Sequence, residues 1–111
     1  MHELAIADAV LSLVLEQAAE RRVSKVGMRI GRLRQVVPSS LRFSFELVAR
    51  DTVAQSAELE IEAVPVRVRC DDCSADSEPT AFPLTCGHCG TMSVAVAEGN
   101  EMLVEWIETE G

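Results

Sequence analysis

Cys70-Asp71-Asp72-Cys73 and Cys86-Gly87-His88-Cys89 together form a C-x2-C-x12-C-x2-C pattern, and this pattern decides how part of the chain folds. Each motif places two thiolates on one tight turn, so two turns can close a tetrahedral site with metal–sulfur bonds of about 2.3 Å. We predict a structural zinc ion there, because four thiolates leave no open position for catalysis. A redox dithiol pair and a rubredoxin-like iron site are the alternatives that the pattern leaves open.

The start of the chain gives no indication of export. Met1-His2-Glu3-Leu4 has no basic region, and Asp8 and Glu16 interrupt the apolar residues that follow. A signal peptide or a membrane span is therefore not expected. We expect a cytoplasmic protein, whose cysteines stay reduced and serve in metal ligation or redox chemistry rather than in structural disulfides.

Length and charge restrict the class of protein. A chain of 111 residues has the size of one domain with a small satellite lobe. The net charge of -8 disfavours a nucleic-acid partner, because phosphate contacts require a basic surface. The cysteine segment is no exception, since Arg67 and Arg69 are outnumbered there by Asp71, Asp72, Asp76 and Glu78.

Hydrophobic periodicity predicts the remaining elements. Apolar residues follow one helical face from Leu4 to about Ala19 and again from Pro38 to about Arg50. Apolar and polar residues alternate, as in strands, from about Val23 to Leu33, over 58–63 and over 102–107. The predicted fold is α+β: two helices packed on one face of a three-stranded mixed sheet, with an inserted small zinc-ribbon-like lobe.

The predicted lobe divides the chain into two domains. The apolar phase changes at Pro65, so we assign residues 1–64 and 98–111 to an α/β domain and residues 65–97 to a zinc-binding domain. Six of the ten basic residues fall between Arg21 and Arg34, whereas the strand over 58–63 is rich in glutamate. We predict cross-strand ion pairs on the solvent face of the sheet, with a docking surface as the alternative.

Position 2 gives the amino terminus a chelating capacity. Three nitrogens can chelate one ion there: the α-amino group, the His2 imidazole and the amide nitrogen between them. Such nitrogen sets favour Ni(II) or Cu(II). Glu3 adds a carboxylate and another amide nitrogen. The residues alone leave open the alternative that His2 and Glu3 are ordinary residues of a frayed helix start. His88, between two cysteines, is expected to face solvent rather than to bind metal.

Taken together, the motifs closely resemble the HypA/HybF family of hydrogenase maturation nickel metallochaperones over nearly the whole chain. The matching segments besides the cysteines are Met1-His2-Glu3-Leu4, Ile30-Gly31-Arg32-Leu33, Pro38-Ser39-Ser40-Leu41-Arg42-Phe43-Ser44-Phe45-Glu46, Leu59-Glu60-Ile61-Glu62, Val64-Pro65 and Glu101-Met102-Leu103. The resemblance implies nickel binding by the Met1 amine, His2 and the Glu3 backbone. It also implies structural zinc, a partner nickel GTPase, and [NiFe]-hydrogenase, through its large subunit, or urease as the recipient.

Two positions depart from the family pattern. Ser74 follows the first cysteine motif where glycine is usual, and Asp51-Thr52 stands where the family tends to have Gly-Thr. The alternative function is a zinc-ribbon module that recruits a protein or nucleic acid and carries no nickel. An enzyme is disfavoured, because the sequence offers no nucleophile–base arrangement, no phosphate-binding glycine loop and no open zinc site. A homodimer remains open.

Overall fold

The computed structural model describes residues 2–110. Its elements are α1 (Glu3–Ala18), β1 (Val23–Gly31), a 3-10 helix (Arg32–Arg34), α2 (Pro38–Val48), β2 (Glu58–Val64), β3 (Arg67–Cys70), β4 (Asp76–Ser77), β5 (Val94–Glu98) and β6 (Met102–Thr109). Both predicted helices and all three predicted strands are present. β1 ends two residues before the predicted Leu33, because the chain turns into the 3-10 helix at Arg32. Within residues 2–110, no helix has the length and apolarity needed to cross a membrane.

Three strands form the predicted mixed sheet in the order β2-β1-β6. β6 is antiparallel to β1, since Glu110 N donates to Arg22 O at 2.8 Å and Ser24 Oγ donates to Glu108 O at 3.1 Å. β2 follows β1 through the α2 crossover, which is the connection that parallel neighbours require. β1 is therefore the central strand, and β2 and β6 are the edges.

The chain divides into two compact units. The first contains residues 2–29, Val36–Glu62 and residues 103–110, and the second contains Ile30–Gln35 and Ala63–Met102. The assignment of one metal to each domain, with boundaries at 64/65 and 97/98, stays a prediction.

The core of the first unit lies between its helices and the sheet. α1 and α2 pack against each other. The two helices bury one face each, and β1 adds two large side chains; these core residues are Ala7, Val10, Leu11, Val14, Ala18, Leu41, Phe45, Val26 and Met28. The spacing of the helical members is the predicted amphipathic repeat, so the packing of both helices on one face of the sheet is confirmed.

Ion pairs cover the other face of the sheet. Lys25 Nζ lies 3.6 Å from Glu60 Oε1, and Arg29 Nε lies 3.5 Å from Glu62 Oε2 without hydrogen-bond geometry. These two pairs confirm the predicted cross-strand charge pairing. Because all four side chains are partly exposed, each pair contributes only about 0.2–1 kcal/mol to stability.

The indole ring of Trp106 lies so close to β1 that position 27 requires glycine. A Cβ atom added at Gly27 would overlap the indole ring of Trp106. We expect Gly27→Ala to lower the free energy of unfolding by about 1–3 kcal/mol, as overpacking does, and urea denaturation measures this loss. In a Trp106→Ala background the same substitution should cost almost nothing; an undiminished loss there would show that the indole is not the cause.

The second unit contains a three-stranded sheet of its own, in the order β4-β3-β5. Both neighbours are antiparallel to β3, with Val68 opposite Ser77 and Cys70 opposite Val94. The sequence predicted only a lobe here and gave no strands. The pairing places Cys70 beside the residues that follow the second cysteine motif, so the sheet brings the two motifs together.

Candidate metal centre

The four cysteine sulfurs form one cluster. All of them lie within 4.8 Å of one another, and the Cys70–Cys89 and Cys73–Cys86 Sγ–Sγ distances are both 3.6 Å. A tetrahedral ion with metal–sulfur bonds of about 2.3 Å requires sulfur–sulfur distances of about 3.8 Å. The cluster therefore has the size and donor set of a closed four-thiolate site, as zinc prefers.

Two backbone N–H groups converge on the first sulfur of each motif. Cys70 Sγ accepts from the N–H groups of Asp72 and Cys73, both at 3.3 Å. In the second motif, Cys86 Sγ accepts from His88 at 3.3 Å and from Cys89 at 3.4 Å. Donors aimed at a sulfur favour its anionic form, so both turns are shaped for thiolates.

The sulfurs differ in acidity. The N–H groups of Cys89 and His88 lower the pKa of the Cys86 thiol to about 6, so this group is a thiolate at neutral pH. The N–H of Thr91 acts to lower the pKa of Cys89, but the hydrogen bond to Cys70 and burial prevail and raise it to about 12. A cation in the cluster must displace protons from such thiols, and its affinity therefore falls as the pH falls.

Both motifs close with the same left-handed turn. Ser74 has φ 62° and donates its N–H to Cys70 O at 3.2 Å, and Gly90 has φ 78° and donates to Cys86 O at 3.0 Å. Asp51, the other departure from the family pattern, also has φ 62°. Serine and aspartate thus occupy left-handed backbone at both places where the family favours glycine.

This turn geometry yields a paired prediction. Left-handed backbone costs a non-glycine residue about 1–2 kcal/mol. We expect Ser74→Gly to stabilise the second unit by about 1 kcal/mol, and Gly90→Ser to destabilise it by about the same amount. Urea midpoints of the metal-loaded protein measure both changes, and shifts of the same sign would contradict the turn argument.

The cluster of possible metal ligands does not include the histidine of the second motif. His88 is exposed. Four sulfur donors would complete a tetrahedron around one ion, so the cluster needs no nitrogen ligand.

The amino-terminal candidates begin the first helix. His2 is exposed, and its carbonyl accepts the N–H of Ile6 at 2.9 Å; Met1 lies outside the described residues. Glu3 is only 7% exposed, and its Oε2 accepts the N–H of Val37 at 3.3 Å, at the start of α2. Its carboxylate thus links the start of α1 to the start of α2, a role that the sequence did not reveal.

Comparison with known proteins decides the family. The family model "HypA: Hydrogenase/urease nickel incorporation, metallochaperone, hypA" matches residues 1–109. The chain belongs to the HypA family. As a HypA member it is a metallochaperone and not an enzyme, with nickel and zinc as its metals. This match speaks against the alternative of an interaction module without nickel.

Individual HypA and HybF relatives align with this chain over nearly their whole length. The chain is 39% identical over 110 residues to hydrogenase maturation factor HypA of Geotalea uraniireducens, covering 99% of this chain and 100% of the relative. It is 35% identical over 113 residues to hydrogenase maturation factor HybF of Morganella morganii, with the same coverage. The solution structure of the Ni metallochaperone HypA from Helicobacter pylori matches with a TM-score of 0.68 at 27% identity, covering 98% of this chain and 97% of that one.

Proposed function

We propose that this HypA protein binds one Ni(II) ion at its amino terminus, through the Met1 amine, His2 and the Glu3 backbone, and delivers it to a maturing [NiFe]-hydrogenase or urease. The observation that carries the proposal is the helix start. α1 begins at Glu3, directly after an exposed histidine, and the Glu3 carboxylate is already bonded to Val37. The ligands that we propose are therefore backbone nitrogens and the imidazole.

The first helical hydrogen bond supports this choice of ligands. It runs from Ile6 N to His2 O, so the N–H groups of His2 and Glu3 precede the ladder of α1. The first amides of a helix have no intrahelical acceptor. Nickel can therefore take these nitrogens without removing a helical hydrogen bond, and a few ligands at a chain end release an ion more readily than a closed cage.

The zinc ion, in contrast to nickel, is proposed to stay bound. We assign zinc to Cys70, Cys73, Cys86 and Cys89, whose four sulfurs surround one point. Four thiolates exclude water and substrate from the ion, so the zinc is structural. Such a site requires reduced cysteines, which supports a cytoplasmic location. The partners that we propose are the nickel GTPase of hydrogenase maturation and the hydrogenase large subunit.

Displacing the amino group tests the nickel site. One glycine added before Met1 moves the amine away from His2, and we expect nickel affinity to fall at least about tenfold, or 1.4 kcal/mol. Calorimetric titration of nickel into zinc-loaded protein measures the loss. The matched control carries the same glycine after Gly111. Equal nickel affinity in wild type and in both extended proteins would refute the amino-terminal site.

A further inference from the structure

The two cysteine motifs belong to a longer internal repeat. Each first cysteine is followed seven residues later by a serine, giving C-x2-C-x3-S in Cys70–Ser77 and again in Cys86–Ser93. The resemblance extends to the backbone. The first cysteine of each repeat donates its N–H to the carbonyl five residues later, Ala75 O or Thr91 O, at 2.9 Å in both cases.

The serines connect the two repeats reciprocally. Ser77 Oγ accepts the N–H of Gly87 at 3.0 Å. In the opposite direction, Ser93 Oγ donates to Asp71 Oδ2 at 3.2 Å, while Ser93 O accepts the N–H of Asp71 at 2.9 Å. Asp71 and Gly87 occupy the same place in their repeats, directly after the first cysteine. Each serine therefore holds the turn that carries the other repeat's cysteines.

The sheet of the second unit sets where these serines lie. Ser77 ends β4 opposite Val68, and Ser93 directly precedes β5. The contact at Gly87 is close, since a Cβ atom added there would come within 3.1 Å of Ser77 Cβ. The Ser77 hydroxyl thus meets the Gly87 backbone with little room for a side chain between them.

We propose that Ser77 and Ser93 are positioning residues of the zinc site, forming a serine brace that holds the two cysteine turns together and slows metal loss. The two sulfur pairs at 3.6 Å, Cys70–Cys89 and Cys73–Cys86, both join one turn to the other. An ion can leave only when the turns separate, and the hydrogen bonds of the brace resist that separation. A protein that must release nickel gains from retaining zinc in this way.

Zinc release to a chelator tests the brace. We expect Ser77→Ala and Ser93→Ala each to release zinc about threefold to tenfold faster, as the loss of one hydrogen bond predicts, and the double variant to release it faster than either. Ser77→Thr and Ser93→Thr keep the hydroxyl and should restore the slow rate. Cobalt-loaded protein provides a second signal, since its thiolate charge-transfer band should shift only in the alanine variants.

A matched control and a second variant keep the test decisive. Thr80→Ala removes a hydroxyl elsewhere in the same unit, one for which the described residues show no hydrogen bond, and should leave the rate unchanged. Should the double variant fail to fold, Asp71→Ala removes only the acceptor of the Ser93 hydroxyl and should still accelerate release. Unchanged release in the single alanine variants would overturn the brace alone. Wild-type protein that binds no zinc would overturn the zinc assignment as well, and neither result touches the nickel site.

Discussion

Cys86→Ala is expected to abolish zinc binding and to unfold the second unit, while the helices of the first unit stay folded. Cys86 is buried and is the sulfur whose pKa is lowered to about 6, first by the N–H of Cys89 and then by that of His88. Without it three ligands remain, and the bonds that hold the two turns to one ion are lost. Structural zinc contributes about 10–16 kcal/mol to the folding of small zinc domains, so the expected effect is large.

The composition of the second unit explains why metal is required. Its buried aliphatic side chains, among the described residues, are Ile30, Val64, Val66 and Val68. Four such side chains contribute about 1.5–3 kcal/mol each, which is small against the conformational entropy of ordering Ala63–Met102. The first unit buries helices against a sheet and contains no cysteine, so it has a core that does not depend on zinc.

Hydrogen exchange measures the two units separately in one experiment. Amides of β3 and β5 should lose protection in Cys86→Ala, whereas amides of α1 and α2 should keep it. Met92→Ala is the matched control, because Met92 lies in the same unit and is 68% exposed. Retained protection in β3 without bound metal would contradict a structural role for the ion.

Local patterns predicted the elements that bury a regular face. α1 and α2 follow a helical repeat, and β1 and β2 alternate, because one side of each packs on a core. β3, β4 and β5 were not predicted. β4 has only two residues. The Val-Ala-Val-Ala run of β5 shows no alternation of apolar and polar residues, and most of its residues are exposed. Both strands are set by pairing with β3 between the cysteine turns, which no local periodicity encodes.

Part of the candidate site could likewise be predicted from the sequence, and part could not. The cysteine cluster follows from spacing alone, because a tight turn places both cysteines of a motif on one side. The serine repeat was visible in the sequence, but its use appears only when the turns face each other. The bond between Glu3 and Val37 joins residues 34 positions apart and has no sequence pattern at all. Tertiary packing creates that contact.

His2→Ala is expected to reduce nickel affinity at least about a hundredfold, or 2.7 kcal/mol, by removing the imidazole of the proposed site. His88→Ala is the matched control, since it removes the other histidine of the chain and should leave nickel affinity unchanged. Nickel titrations of both zinc-loaded variants make the comparison. A greater loss of nickel affinity in His88→Ala than in His2→Ala would indicate that nickel binds in the second unit.

The pH dependence of nickel binding should follow the same ligands. An amine and an imidazole bind a cation only when they are unprotonated, so lowering the pH from 8 to 6 makes protons compete with nickel for the proposed ligands. Nickel affinity should therefore fall across this range in the wild type, and more shallowly in His2→Ala, which has lost one of the two competing proton sites. Zinc should stay bound throughout, as its content measured beside each titration will show. A wild-type nickel affinity that is constant from pH 8 to pH 6 would exclude both nitrogens as ligands.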